Sequence, residues 1–351
     1  MLVNILVLAW RRPHDLIRVL EIIDSYPGDK IVYISVDGKT GSDIFLDEKI
    51  ESTRKVVLEY RLCNPTSHIL INPHNLGCGN AVSNALDWFF SQVDEGIIIE
   101  DDLSFNHSLL EYLDFCLKRY RDHKYIFSVN GHNPVNEHFL NIKKPYLSRS
   151  VHIWGWATWA DRWKLYEKNF SPALRSMDNL SSLETIGSMP FIIKPLEYYF
   201  LAQFKEVLNG NIDTWDYQWV WTMWKYGGVA LAPPVNLVEN IGFSSEATHT
   251  KAGSSNKIGA RSAEIVAEFL SGNSELSDWK IVQCAEECTL FSEINFLMPN
   301  LEQSFSSGTW LSRSKKLYRR FVPNPIRFAL SPIVTSLRSY RKSLITSSRE
   351  S

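Results

Sequence analysis

The sequence predicts an α/β protein built on a mostly parallel sheet that helices cover on both faces. Three observations carry that prediction. Short Ile- and Val-rich runs alternate with amphipathic helical stretches over residues 1–132. Those runs are nearly continuous in apolar residues, as strands buried on both faces must be. Four of them end in polar side chains, and open sheets of this kind bind ligands beyond the carboxyl ends of their strands.

The elements follow in order. "LVNILVLA" reads as a buried strand, and "RPHDLIRVLEIIDS" as a helix with Pro13 at its start and Leu16, Val19, Leu20 and Ile23 on one face. "KIVYISVDG" is a second strand ending on Asp37-Gly38, and a longer helix follows over residues 43–62. "SHILIN" is a third strand and "CGNAVSNALDWFFSQ" a helix; "GIIIE" is a fourth strand, "HSLLEYLDFCLKRY" a helix and "YIFSVNG" a fifth strand. The polar strand ends are Arg11 and Arg12, Asp37, His74 with Asn75, and Glu100-Asp101-Asp102. Residues 133–260 form the second half of the same domain, aromatic, loop-rich and less regular. Residues 261–310 read as partly helical, and 311–351 as a basic amphipathic tail. No internal repeat is present.

Composition is that of an ordinary globular chain, 44% apolar and 22% charged over 351 residues. Twelve tryptophans are many, and eight lie between Trp154 and Trp224. The five cysteines (63, 78, 116, 284 and 288) lack the spacing of a disulfide framework or a zinc site, so reduced thiols in the cytosol are expected. "MLVNILVLAW" is too short for a signal peptide, and no apolar run has the length of a membrane span. The tail holds ten Lys/Arg and one acid, against 27 basic and 38 acidic residues upstream, so a tail of net +9 follows a body of net −11. Its charges are interleaved with Leu317, Tyr318, Phe321, Phe328, Leu330, Ile333 and Leu337. Such a segment suits an anionic membrane surface, or packs as a solvated tail on the body. No motif for nucleic acid accompanies it.

"GIIIEDDLSF" runs an apolar strand into three carboxylates, and that much negative charge needs a partner. Either Asp102 or Ser104 caps the following helix, or the acids hold a hard divalent cation, Mn²⁺ or Mg²⁺, together with phosphate oxygens. Successive strand side chains point to opposite faces, so the three acids have separate tasks. The phosphate-cradling loops GxxxxGK[ST] and GxGxxG are both missing, which argues against a kinase, an ATPase or a dehydrogenase. Metal and single side chains must then hold any nucleotide, as suits a nucleotide-diphosphate sugar.

In "DTWDYQWVWTMWKYGG" the spacing of Trp219 with Met223 and of Val220 with Trp224 predicts a buried aromatic helix. Asp216 stands out, because a carboxylate among aromatics is costly unless paired, and is suited to act as a general base. "HIWGWATWADRW" is expected to be mainly core, with Trp154 and Trp156 joining Trp215 in a wall for sugar rings. His249, before a Lys/Gly/Ser loop, is a candidate ligand of metal or diphosphate under a closing lid.

"IIIEDDLSFNHSLLEYL", with "ILVLAWRRP" and "ISVDG" upstream and "WDYQW" downstream, resembles glycosyltransferases of the GT-A fold. The likeness is to the N-acetylglucosaminyltransferase I type and its bacterial relatives, and covers roughly residues 1–250. It implies a Rossmann-like nucleotide-sugar-binding half (1–132) and an acceptor-binding half (133–260). It also implies Mn²⁺ on Asp102, the donor ribose on Glu100, uracil on Asp37, and nucleotide contacts at Ala9, Arg11 and His74. Asn75 and Asp101 complete the expected donor set. The family's base aspartate lies in a Trp-Asp-Asp-Trp setting, which Trp215-Asp216-Tyr217-Gln218-Trp219 matches with a departure at its second acid. The membrane anchor of eukaryotic members is not seen here, so the acceptor is expected on the cytosolic side, in bacterial surface polysaccharide synthesis.

The expected function is metal-dependent, inverting transfer of a sugar from a nucleotide-diphosphate donor, UDP-linked by the resemblance, to a glycan or lipid-linked acceptor. The alternatives are a sugar-phosphate nucleotidyltransferase, which needs a glycine-rich loop that "LAWRRPHD" lacks, and a non-catalytic glycan-binding protein.

Overall fold

The structure, a computed structural model, describes residues 2–135, 142–170, 174, 194–242, 258, 262–271, 276–277, 282–283, 285–287 and 289–290. The five strands read from the first half are present as β1 (Val3–Ala9), β2 (Lys30–Val36), β3 (His68–Ile71), β4 (Glu95–Glu100) and β6 (Ile126–Asn130). Between them lie α1 (Pro13–Ser25), α2 (Ile44–Cys63), α3 (Gly77–Phe90) and α4 (His107–Tyr120). Local chemistry sets their ends. Pro13 opens α1 and buries the predicted face Leu16, Val19, Leu20 and Ile23; the helix stops at extended Tyr26, which precedes Pro27. Asp43 caps α2 by accepting from Leu46 N at 3.1 Å. Asn106 caps α4 by accepting from Ser108 N at 3.0 Å, so neither Asp102 nor Ser104 serves as that cap.

The second half is more regular than the sequence suggests. It adds β7 (Tyr146–Ser148), β8 (Trp156–Trp159), β9 (Val229–Ala232) and β10 (Val238–Asn240). The eight-stranded sheet has the order β3-β2-β1-β4-β8-β6-β9-β7. Strands β1–β4, β6 and β9 run one way, and β8 and β7 run against them. β10 pairs with β5 (Leu103–Phe105), just past the acid triplet. The further helices with defined bounds among the described residues are α5 (Ala160–Trp163), α6 (Lys194–Leu208), α7 (Asp216–Lys225) and α8 (Ser262–Leu270).

The core has two parts, one on each face of the sheet. Ile5 and Val7 of β1 and Ile97 and Ile99 of β4 face α1, α4 and α8. Leu6, Leu8 and Ile98 face α3, α6 and α7. Six tryptophans (156, 163, 215, 219, 221 and 224) belong to that second part, which accounts for most of the cluster noted in the sequence. Cys63, Cys78 and Cys116 are free thiols. Among the described residues no helix is long and apolar enough to cross a membrane. The tail at 311–351 lies outside the described residues.

Candidate active site

The alternation along β4 sends Ile97 and Ile99 to one face and Ile98 to the other, so Glu100 points toward α3 and α7. Asp101 continues the ladder, its N–H donating to Leu8 O at 2.9 Å. Its carboxylate accepts from Trp10 N at 3.0 Å and from Arg12 Nη1 at 3.3 Å. Arg12 Nη1 also lies 3.1 Å from Asp102 Oδ2. Ile241 N donates to Asp102 O at 3.0 Å, and the chain then passes so close that a Cβ at Gly242 would lie 2.2 Å from Asp102 Oδ2. The corner is therefore closed from three sides.

Its electrostatics are unbalanced. Burial pushes the Glu100 carboxyl well above its ordinary range, and the charges of Asp102, Asp101 and Asp216 push it further. Burial, then Asp102, raises Asp101 to about 7, opposed by Arg12 and the Trp10 N–H. Asp102 is also raised by burial, against the pull of Arg12. One guanidinium does not offset three desolvated acids. Asp102 Oδ1 is buried without a hydrogen-bond partner. An orphaned carboxylate oxygen in an acidic corner fits a hard divalent cation. Among the described residues no group of three His, Cys, Asp or Glu side chains is placed to hold a metal ion. Mg²⁺-like sites need none, since they take one or two carboxylates and fill the shell with phosphate oxygens and water.

The other strand ends converge on the same edge. Ala9 closes β1, its carbonyl accepting from Asp37 N at 3.2 Å. Arg11 lies over the Trp10 ring, its Cζ 4.8 Å from the centroid, so Arg12 rather than Arg11 reaches the acids. Asp37 is buried and accepts from Asn72 Nδ2 at 3.1 Å, Asn75 Nδ2 at 3.0 Å and Leu76 N at 3.1 Å. It thus pins the β3–α3 loop. Gly38 is needed there, because a Cβ would lie 2.0 Å from the His74 carbonyl carbon. His74 itself is exposed beside this turn.

The glycines of "LGCGN" have a separate task. Gly77 has φ +77°, and Cβ atoms at Gly77 and Gly79 would lie 2.4 and 2.7 Å from the Asp213 carboxylate. Asp213 Oδ1 accepts from Gly79 N at 3.0 Å. The N-terminus of α3, the sort of place that binds phosphate, is occupied by a carboxylate from the second half. Cys78 lies between those glycines, and its thiol is pushed up to about 12, first by burial and then by Glu100, Asp216, Asp213 and Asp37. Acids from both halves thus act on one thiol.

Asp216 opens α7, where the helix N-terminus favours a negative charge. Its Oδ1 accepts from Tyr217 N at 2.8 Å and from the Thr214 hydroxyl. The aromatic helix is buried as expected, with Trp219, Val220, Trp221, Met223 and Trp224 all in the core. Two of the three expected wall tryptophans are corrected. Trp156 is 0% and Trp215 2% exposed, and their rings stack at 5.4 Å, so both are core. The cause is geometric: β8 and the start of α7 face each other across the second part of the core. Trp154 keeps part of its surface and lies 4.8 Å from the His132 ring. His249 lies outside the described residues.

Sequence reasoning passed over Arg12 as the partner of the acids, Asp213 and Gly242. Only the glycine pair in "LGCGN" was a usable signal, since two glycines at a helix start mark a close approach.

No family model matches the chain, and no curated protein matches it. Among solved structures, it is similar to the mannosyltransferase PcManGT from Pyrobaculum calidifontis in complex with GDP-Man and Mn²⁺. That likeness has 12% identity and a TM-score of 0.42, covering 96% of this chain and 84% of the other. A second similar structure is S. aureus TarS 1–349, at 12% identity and TM-score 0.39, covering 97% and 87%. HddC from Yersinia pseudotuberculosis matches 48% of this chain and 82% of its own at 12% identity and TM-score 0.27. Likeness at this level assigns no activity to the chain.

Proposed function

We propose that the chain is a metal-dependent glycosyltransferase that moves a sugar from a nucleotide-diphosphate donor to a hydroxyl of a glycan or lipid-linked acceptor. The observation that carries this reading is the acid corner: Asp101 and Asp102 share the guanidinium of Arg12, Glu100 stands half-buried beside them, and Asp102 keeps an orphaned oxygen. Asp102 is the residue to hold Mn²⁺ or Mg²⁺ against the donor's diphosphate. Bound there, the ion supplies positive charge where the leaving diphosphate gains negative charge.

Glu100 and Asp101, with Ala9, Arg11, Asp37, His74 and Asn75 along the same edge, hold the nucleotide. Asp216 accepts the proton of the acceptor hydroxyl while that oxygen bonds to the anomeric carbon and the bond to the nucleotide diphosphate breaks. The transition state has oxocarbenium character, as in other sugar transfers. Inversion at that carbon follows from the family resemblance. Under this reading the basic tail holds the enzyme on the anionic inner face of a membrane, where a bacterial lipid-linked acceptor would lie.

The test is a panel of nucleotide sugars with and without Mn²⁺, read by thermal shift and by release of nucleotide. UDP-N-acetylglucosamine comes first because of the N-acetylglucosaminyltransferase I likeness, and GDP-linked donors are included. Stabilisation by one donor that disappears on chelation is the expected result. Equal stabilisation with and without metal removes the role of Asp102.

A further inference from the structure

We propose that a cavity separate from the acid corner is a binding site for one neutral sugar ring, and that this ring is the acceptor. It has a volume of about 220 Å³ and is lined by Asn80, Tyr166, Lys168, Asn169, Thr214 and Gln218, among others. The second part of the proposal, and only that part, rests on the glycosyltransferase reading.

Three features decide the ligand. Gln218 is 6% exposed, and its Nε2 donates to Thr214 O at 2.7 Å. That bond fixes which way the amide faces, because the carbonyl of Thr214 only accepts. The other end of the amide, Oε1, is buried without a partner. A buried unpaired acceptor costs on the order of 1–3 kcal/mol, and a ligand hydroxyl recovers it only by displacing the atoms that cover Oε1 on the cavity side. Second, the lining pairs three side-chain amides with the aromatic rings of Tyr166 and Phe170. Amides both donate to and accept from hydroxyls, and rings pack on C–H faces. Third, Lys168 and Asp213 bring one charge of each sign to the lining, so an ionic ligand gains no net attraction.

The cavity also touches the chemistry. Thr214 lines it, and the Thr214 hydroxyl donates to the carboxylate of Asp216. A ring seated against Thr214 and Gln218 is therefore one side chain away from Asp216, which does not itself line the cavity.

Methyl glycosides of the common hexoses and N-acetylhexosamines are titrated into the full chain without nucleotide or metal. Binding is followed by saturation-transfer NMR and by tryptophan fluorescence. One glycoside class is expected to bind, and Gln218→Leu to weaken it roughly tenfold, as the loss of one or two hydrogen bonds implies. Donor affinity in the presence of Mn²⁺ stays at the wild-type value in that variant. Should Gln218→Leu fail to fold, Asn80→Ala at the exposed rim carries the same expectation with a smaller loss. Absence of any glycoside binding, or binding indifferent to both substitutions, overturns the proposal. Glycoside binding by a chain that turns over no nucleotide sugar supports the ring site and removes the acceptor assignment together with the transferase reading. Donor turnover with an acceptor KM unchanged in both variants overturns the cavity and leaves that reading intact.

Discussion

Arg12 reaches Asp102 with its Nη1 3.1 Å from Oδ2, and the same nitrogen lies 3.3 Å from Asp101 Oδ1. Among the described residues, this guanidinium is the counter-charge in contact with the acid corner. Removing one partner of a buried ion pair leaves the other charge stranded and costs about 3–5 kcal/mol when burial is complete. Arg12 is 22% exposed, so Arg12→Gln is expected to cost less, on the order of 2 kcal/mol. Saturating Mn²⁺ should restore part of that loss, because it supplies the missing charge. Urea unfolding with and without Mn²⁺ checks both statements; a loss of stability that Mn²⁺ leaves untouched separates the metal from this corner.

Proton release follows from the same corner. Asp101 is raised to about 7, and Glu100 and Asp102 are raised with it. A metal ion takes the ionised carboxylate, so it must displace protons held below about pH 7. Mn²⁺ binding should therefore tighten as pH rises from about 6 to 8, roughly tenfold per unit at most for one displaced proton. Calorimetry in buffers of different ionisation enthalpy measures the proton count. An affinity flat across that range contradicts the protonated corner.

The sheet was legible because β1, β2, β4 and β6 are largely buried on both faces and say so in Ile and Val; the edge strand β3 is only partly buried but carries the same apolar run. β7 to β10 were not, because each has only three or four residues and pairs with strands distant in sequence. Of the site, the acids Glu100, Asp101, Asp102 and Asp216 stood out as charges in apolar surroundings. Their partners did not. Nothing local distinguishes Arg12 from Arg11, and only the stacking of Arg11 on Trp10 decides between them. Gly242 is equally silent in sequence, since its reason is the approach to Asp102, 140 positions away.

Asp213 and Gly77 give a prediction about the join between the two halves. Asp213→Ala removes the carboxylate from the first turn of α3, at an expected cost of about 1 kcal/mol, as for other helix caps. Gly77→Ala should cost more, because its φ of +77° disfavours a Cβ and the Asp213 carboxylate stands 2.4 Å from where that Cβ would be. Thermal melts of both variants provide the ranking; Gly77→Ala as stable as wild type would remove the close approach.

His132 sets the acid side of stability. Burial lowers it from 6.5 to about 3, with the charge of His152 as the next cause, and Asn236 Oδ1 at 3.0 Å acts in the opposite sense. Between pH 6.5 and about 3 the unfolded chain binds a proton that the native imidazole refuses. Stability therefore falls as pH drops through that window, by up to about 1.4 kcal/mol per unit. The acid corner works the other way, since its raised carboxyls take up protons in the native state first. Comparing His132→Asn with wild type at pH 5 and pH 7 isolates the histidine. The variant should lose less stability on acidification, and an equal loss in both proteins would contradict the assignment.

Asp216 carries the sharpest catalytic prediction. Asp216→Asn keeps the shape and the bond from Tyr217 N, so the helix start should survive with little change in stability. The amide cannot take a proton from an acceptor hydroxyl, and loss of a general base costs typically about 10²–10⁴ in rate. Turnover with acceptor should fall by that amount while donor and Mn²⁺ binding stay near wild type, because Asp102 and Arg12 are untouched. The contrast with Asp102→Ala is the decisive comparison: that variant should lose metal-dependent donor binding itself. Full turnover in Asp216→Asn would remove Asp216 as the base.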